Sequence, residues 1–73
     1  MNNTLNPDPH FISGPQDGLL ITGGPAGWDT VFFAMFSRQG ASETPIRVKP
    51  DGVPCHRYER DLDGNFEYKG VDG

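Results

Sequence analysis

Glycine and proline decide what this chain can become. Ten Gly and seven Pro fall within 73 residues, and they break the chain into pieces too short for long helices. Between the breaks lie short apolar or alternating runs, which suit strands joined by turns. The run GLLIT (18–22) sits between glycines and reads as a buried strand. GGPAG (23–27) reads as a loop. The run WDTVFFAMFSRQG (28–40) fits two backbones. As a helix it gathers Trp28, Val31, Phe32, Met35 and Phe36 on one face, with Asp29 as cap. As a strand it turns Val31, Phe33 and Met35 one way and Phe32, Ala34 and Phe36 the other. Its Thr, Val and Phe content favours the pleated form, a central strand covered on both faces; a short helix over 28–37 is the alternative. PIRVKP (45–50) alternates, with Ile46 and Val48 inward, and the flanking prolines place it at a sheet edge. Asp51-Gly52 marks a turn.

The end of the chain supplies a hairpin. A three-residue loop at Asp63-Gly64-Asn65 sets Leu62 opposite Phe66, Arg60 opposite Tyr68 and Glu59 opposite Lys69. This register gathers Tyr58, Arg60, Leu62, Phe66 and Tyr68 on one face and charge on the other. Arg60 between two tyrosines has ring faces to lie along. The expected fold is mainly β: a small antiparallel sheet of about four to five short strands with a C-terminal hairpin. Residues 1–10, opening with the polar MNNTLNPDP, read as a flexible N-terminal arm, and residues 11–73 as one small domain.

The candidate sites weigh against chemistry. Asp61, Asp63 and Asn65 carry the spacing of the first calcium-loop ligands, but Phe66 stands where such a loop needs its Gly and Asp72 where it needs its Glu. A plain turn is the better reading, with weak calcium binding at 61–65 as the alternative. Cys55 and His56 are neighbours and so face opposite ways on a strand. Zinc needs more ligands than these two and His10 supply, so Cys55 is expected inside and His56 outside. TGGPAGWDT lacks both the Lys-Ser/Thr of a phosphate loop and the spacing of a dinucleotide fingerprint. No acid, base and nucleophile converge, and a chain this short encloses even ~300 Å³ with difficulty. The sequence therefore predicts no enzyme, no cofactor and no metal.

One cysteine excludes an internal disulfide and suits a reducing cytoplasm. The chain lacks a signal-peptide pattern and any long apolar run, so neither export nor membrane insertion is expected. The net charge is −4 with a pI near 4.8, which disfavours direct nucleic-acid binding. The charge is uneven. Residues 1–37 hold Asp8, Asp17 and Asp29 and no Lys or Arg. All six cations, from Arg38 to Lys69, lie in the second half among seven acids. The aromatic residues are too bulky to hide completely; an ordinary crowded core is the first reading of the cluster, and a partner surface formed by part of it is the alternative. An open sheet edge offers a second mode of contact.

The loose polar opening MNNTLNPDP and the charge-dense HRYERDLDGNFEYKG, in a small acidic chain, resemble accessory proteins encoded by bacteriophages. The nearest in size and texture are the small phage transcription regulators, such as that of a Xanthomonas phage, which bind the host RNA polymerase. That resemblance implies a monomer in the host cytoplasm that contacts the polymerase large subunits and inhibits or redirects transcription. Two further classes stay open: an inhibitor of another host complex, such as a nuclease or defence system, and a small structural virion component. Arg57, Tyr58, Arg60 and Tyr68 are the candidate partner-binding residues, on the hairpin that the sequence marks most firmly.

Overall fold

A computed structural model describes residues 8–73. The fold is mostly β, as the punctuation of the sequence requires. Four strands, β1 (Phe11–Ile12), β2 (Thr30–Ala34), β3 (Cys55–Arg60) and β4 (Phe66–Asp72), form one sheet in the order β1-β4-β3-β2. The helical content among the described residues is two 3-10 turns, Gly14–Gln16 and Gly24–Gly27. The sheet is mixed rather than antiparallel throughout, because β1 runs parallel to β4.

The strand reading of the aromatic run is correct over Thr30–Ala34, and the faces sort as alternation requires. Val31 and Phe33 are buried, while Phe32 is half-buried and Phe36 exposed. The strand is not central, however. It stands at one end of the sheet, and a loop covers its outer side: Phe32 and Ile46 exchange backbone bonds of 2.8 Å, and Ser42 N donates to Ala34 O at 2.9 Å. PIRVKP contributes only that single bridge at Ile46, and Val48 turns outward, 75% exposed. The Asp51-Gly52 turn forms where expected.

GLLIT is not a buried strand. Its backbone covers the outer side of β1, with Phe11 N donating to Leu19 O at 2.9 Å and Gly18 N to Phe11 O at 2.8 Å. Only Ile21 enters the core; Leu19 and Leu20 remain 44% and 57% exposed. The interior is made mainly of rings. Phe11 stacks on Phe66 at 5.5 Å and meets Phe33 and Tyr58 edge-on at 5.2 and 5.0 Å, geometries that aromatic rings prefer. Both outermost strands thus have their outer sides covered, so neither β1 nor β2 supplies the open sheet edge that the sequence suggests. The stretch of β4 beyond Glu67 has no strand beside it on the β1 side among the described residues.

The C-terminal hairpin forms, but its register differs from the expected one. Arg60 opposes Phe66, Glu59 opposes Glu67 and Tyr58 opposes Tyr68. The loop therefore runs from Asp61 to Asn65. The cause is local: Asp61 Oδ1 accepts from Asp63 N at 2.9 Å and Asn65 N at 3.0 Å, and Asp61 N donates to Asn65 O at 2.8 Å. A short carboxylate that satisfies two backbone donors outweighs the sorting of side chains between faces. Leu62 stands fully in solvent as a result. Farther along, the register slips once between Tyr58 and Arg57, leaving Lys69 as the extra residue of a bulge. Gly70, with φ +103, supplies the conformation that the bulge needs.

The arm expected over residues 1–10 lies mostly outside the described residues. Its last part belongs to the fold: Ile21 N donates to Pro9 O at 2.9 Å, and His10 N to Asn65 Oδ1 at 3.1 Å. Among the described residues no helix is long and apolar enough to cross a membrane.

Candidate functional site

Tyr58 organises the covered face of the sheet. Its ring is fully buried, yet its hydroxyl reaches the chain that crosses above. It donates to Ser13 O at 2.7 Å and accepts from Gln16 N at 2.9 Å. Ser13 and Gly14 both take positive φ, 68° and 67°, so the chain leaves β1 and folds back over the rings. Burial pushes the Tyr58 phenol from 10.0 up to about 12, because ionisation would place a phenolate in the core. The raised value means that the neutral form belongs to the fold. This contribution to stability is therefore fully present below pH 10 and is lost as pH rises from 10 towards 12. A denaturant midpoint measured at pH 9 and again above pH 11 is expected to drop, and Tyr58→Phe is expected to remove that part of the drop which this phenol causes.

The same clasp sets the walls of a cleft of about 310 Å³ in the loop layer over the core. Phe33, Leu19, Leu20, Thr22 and Glu43 lie in its lining. Gln16 also lines it, although that side chain is only 9% exposed. Gln16 Nε2 donates to Ser42 O at 2.9 Å, tying the two loop segments together. Its Oε1 receives no hydrogen bond from the described residues and keeps solvent contact. Glu43 is exposed and forms no ion pair among the described residues. A second, more open recess of about 510 Å³ lies between Met35, Arg38, Tyr68 and Val71.

The four residues expected at a partner surface are not equivalent. Tyr58 is inside the core, so it has no surface to offer. Tyr68 is half-buried, and its hydroxyl bonds His56 Nδ1 at 2.8 Å. Arg60 does not lie between the tyrosines. The altered register sets it opposite Phe66, and it pairs with Asp29 at 2.7 Å instead. Arg57 lies on the open face of the sheet, 3.2 Å from Glu59 and 3.9 Å from Asp72. There Glu59 and Glu67 oppose each other directly, an arrangement that repels, and each has its own cation. Lys69 Nζ is 2.9 Å from Glu67, a bond that pushes the exposed ammonium's pKa up. Such exposed pairs contribute little stability. Their effect is to keep that face solvated and evenly charged. The cation–aromatic contact that does form is between Arg47 and Trp28, at 6.0 Å.

His56 corrects a further expectation. It points away from Cys55, as neighbours on a strand must, but both are fully buried. Its Nε2–H donates to the Ser37 carbonyl at 3.0 Å, so in the neutral ring Nδ1 accepts from Tyr68 Oη–H. The histidine thereby pins the loop after β2 to β4.

At the Asp61 loop, the carboxylate is occupied by backbone donors. Among the described residues no group of three or more His, Cys, Asp or Glu is placed to hold a metal ion. Replacing Asp61 by Ala removes two acceptor contacts and is expected to cost about 1–2 kcal/mol, read as a lower urea midpoint. Millimolar calcium is expected to leave the wild-type midpoint where it is.

Sequence reasoning missed Leu19, Leu20, Gln16 and Glu43. One signal for the leucines was present: adjacent residues on an extended chain face opposite ways, so one of the pair had to point outward. Nothing marked Gln16 or Glu43, which approach each other only through the fold. Compared with known protein families, with curated proteins and with solved structures, the chain matches none.

Proposed function

We propose that this chain is a non-catalytic protein-binding module, and that its target is a bacterial RNA polymerase, whose transcription it inhibits or redirects. The observation that supports contact with a protein is the pair Leu19 and Leu20, 44% and 57% exposed at the rim of the cleft. A chain with so small an interior gains by burying leucines. Here their backbone is tied to β1 while their side chains are held out. Apolar groups rimmed by polar ones are the usual form of a contact surface. The choice of polymerase rests on the likeness of MNNTLNPDP and HRYERDLDGNFEYKG to small phage regulators. The net charge of −4 agrees with a protein target rather than promoter DNA.

Affinity capture from bacterial lysate with the tagged protein tests the target. The polymerase large subunits are expected in the eluate at stoichiometric yield. Their absence overturns the choice of polymerase.

A further inference from the structure

The cleft beside Leu19 and Leu20 has a chemistry that names its occupant. Resting on the reading of the chain as a protein-binding module, we propose that the cleft receives the arginine or lysine side chain of an extended basic segment of the partner protein, with apolar residues on either side of it. Three observations lead there. First, the volume of about 310 Å³ lies at the lower limit for small-ligand pockets. It is too small for a folded element and adequate for one long side chain. Second, the walls are largely apolar, with Phe33, Leu19 and Leu20 among them, and the methylene stem of a basic residue packs on such walls while its head stays polar. Third, the polar groups of the lining are mainly acceptors. Gln16 is nine-tenths buried, with its Nε2 committed to Ser42 and its Oε1 receiving no hydrogen bond from the described residues. Glu43 brings a carboxylate with no cation on it among the described residues, and Thr22 adds a hydroxyl. A guanidinium or ammonium donates to all three.

The surrounding field has the same sign. Residues 1–37 contain no Lys or Arg. Of the nearest cations in the sequence, Arg47 lies over the Trp28 ring, and Arg38 lines the other recess. An acidic segment would therefore meet like charge at Glu43 with nothing nearby in the lining to offset it, and a neutral apolar side chain would take solvent from the Gln16 Oε1 without giving it a partner.

The test is a titration of the full-length ¹⁵N-labelled protein, followed by amide chemical shifts. Three capped heptapeptides differ only at the central residue of Gly-Ser-Leu-X-Leu-Ser-Gly, where X is arginine, its neutral isostere citrulline, or glutamate. The arginine peptide is expected to move the amides of Leu19, Leu20, Thr22 and Glu43 saturably. The citrulline peptide is expected to bind about three- to tenfold more weakly, and the glutamate peptide more weakly still. Glu43 is exposed, so Glu43→Gln should keep the dispersed spectrum of the fold while bringing arginine and citrulline to within about twofold of each other. Equal affinity of arginine and citrulline for the wild type overturns the proposal, as do shifts centred away from the cleft or the absence of saturation with any peptide at millimolar concentration. The capture experiment fails separately. Polymerase missing from the eluate while the arginine peptide occupies the cleft removes the target and leaves the occupant. Polymerase retained equally by wild type and Glu43→Gln, with no discrimination among peptides, does the reverse.

Discussion

Gly14→Ala is expected to bring the protein to the margin of stability, with a large unfolded fraction at room temperature. Gly14 has φ +67, a conformation that costs an L-residue about 1–2 kcal/mol. A Cβ there would also lie 2.6 Å from Tyr58 Oη and 2.6 Å from Tyr68 Cγ, well inside contact distance. Neither neighbour yields easily, since Tyr58 is held by two hydrogen bonds in the core and Tyr68 is tied to His56. Overpacking of this kind adds about 1–3 kcal/mol. The sum approaches the ~3–5 kcal/mol that a core of this size supplies. Gly18→Ala is the control: φ is +86 there, but no atom lies within 4 Å of the added carbon. It should cost only the backbone term, so the difference between the two urea midpoints isolates the overlap with the rings. Equal midpoints would mean that the chain does not pack on Tyr58 and Tyr68 at Gly14.

Tyr58→Phe carries the second large effect. The substitution keeps the ring, whose contacts with Phe11 and Phe33 remain possible, and removes one oxygen. That oxygen serves Ser13 O and Gln16 N; Ser13 is exposed and can turn to water, but Gln16 N is buried, and a buried backbone donor left without a partner costs about 1–3 kcal/mol. A loss of about 1–3 kcal/mol is expected in chemical denaturation. The loss should be local at first. Amides of Gly14 to Ile21 should exchange with solvent much faster, because the segment that lines the cleft is held down at Gln16. Tyr68→Phe removes a single bond, to His56, and should cost less. A neutral Tyr58→Phe would place the hydroxyl in solvent and contradict the clasp.

The parts of the fold legible in the sequence are those fixed by alternation and by turn chemistry. Val31 and Phe33 share a buried face because two-residue periodicity requires it, and Asp51-Gly52 turns because its residues permit it. The hairpin register was not legible by the same route. Sorting the two faces favoured Leu62 opposite Phe66, but the Asp61 carboxylate closes a longer loop on its own backbone and leaves Leu62 in water. The sequence suggests Tyr58 for the surface, although it belongs to the same aromatic face as Phe66. That face is the core, and the alternation that gathered those rings was itself the evidence for it. His56 was misplaced because its burial depends on two partners, Ser37 O and Tyr68 Oη, separated from it by 19 and 12 residues. The cleft is harder still to read. It arises where Gln16 meets Ser42 across 26 residues, and no local pattern encodes such a meeting.

The central claim is that the protein acts through its outside, at the leucine rim of the cleft. The measurement that tests this most directly is a polarisation titration of fluorescently labelled protein with purified bacterial RNA polymerase, using the wild type and a Leu19→Ser/Leu20→Ser double variant. Leu19 and Leu20 are 44% and 57% exposed and neither belongs to the buried core cluster, so the variant should keep the native fold. The account predicts a saturable isotherm for the wild type and affinity weakened by about tenfold or more for the variant. Binding that is equally tight for both, or no binding by the wild type at all, would contradict it.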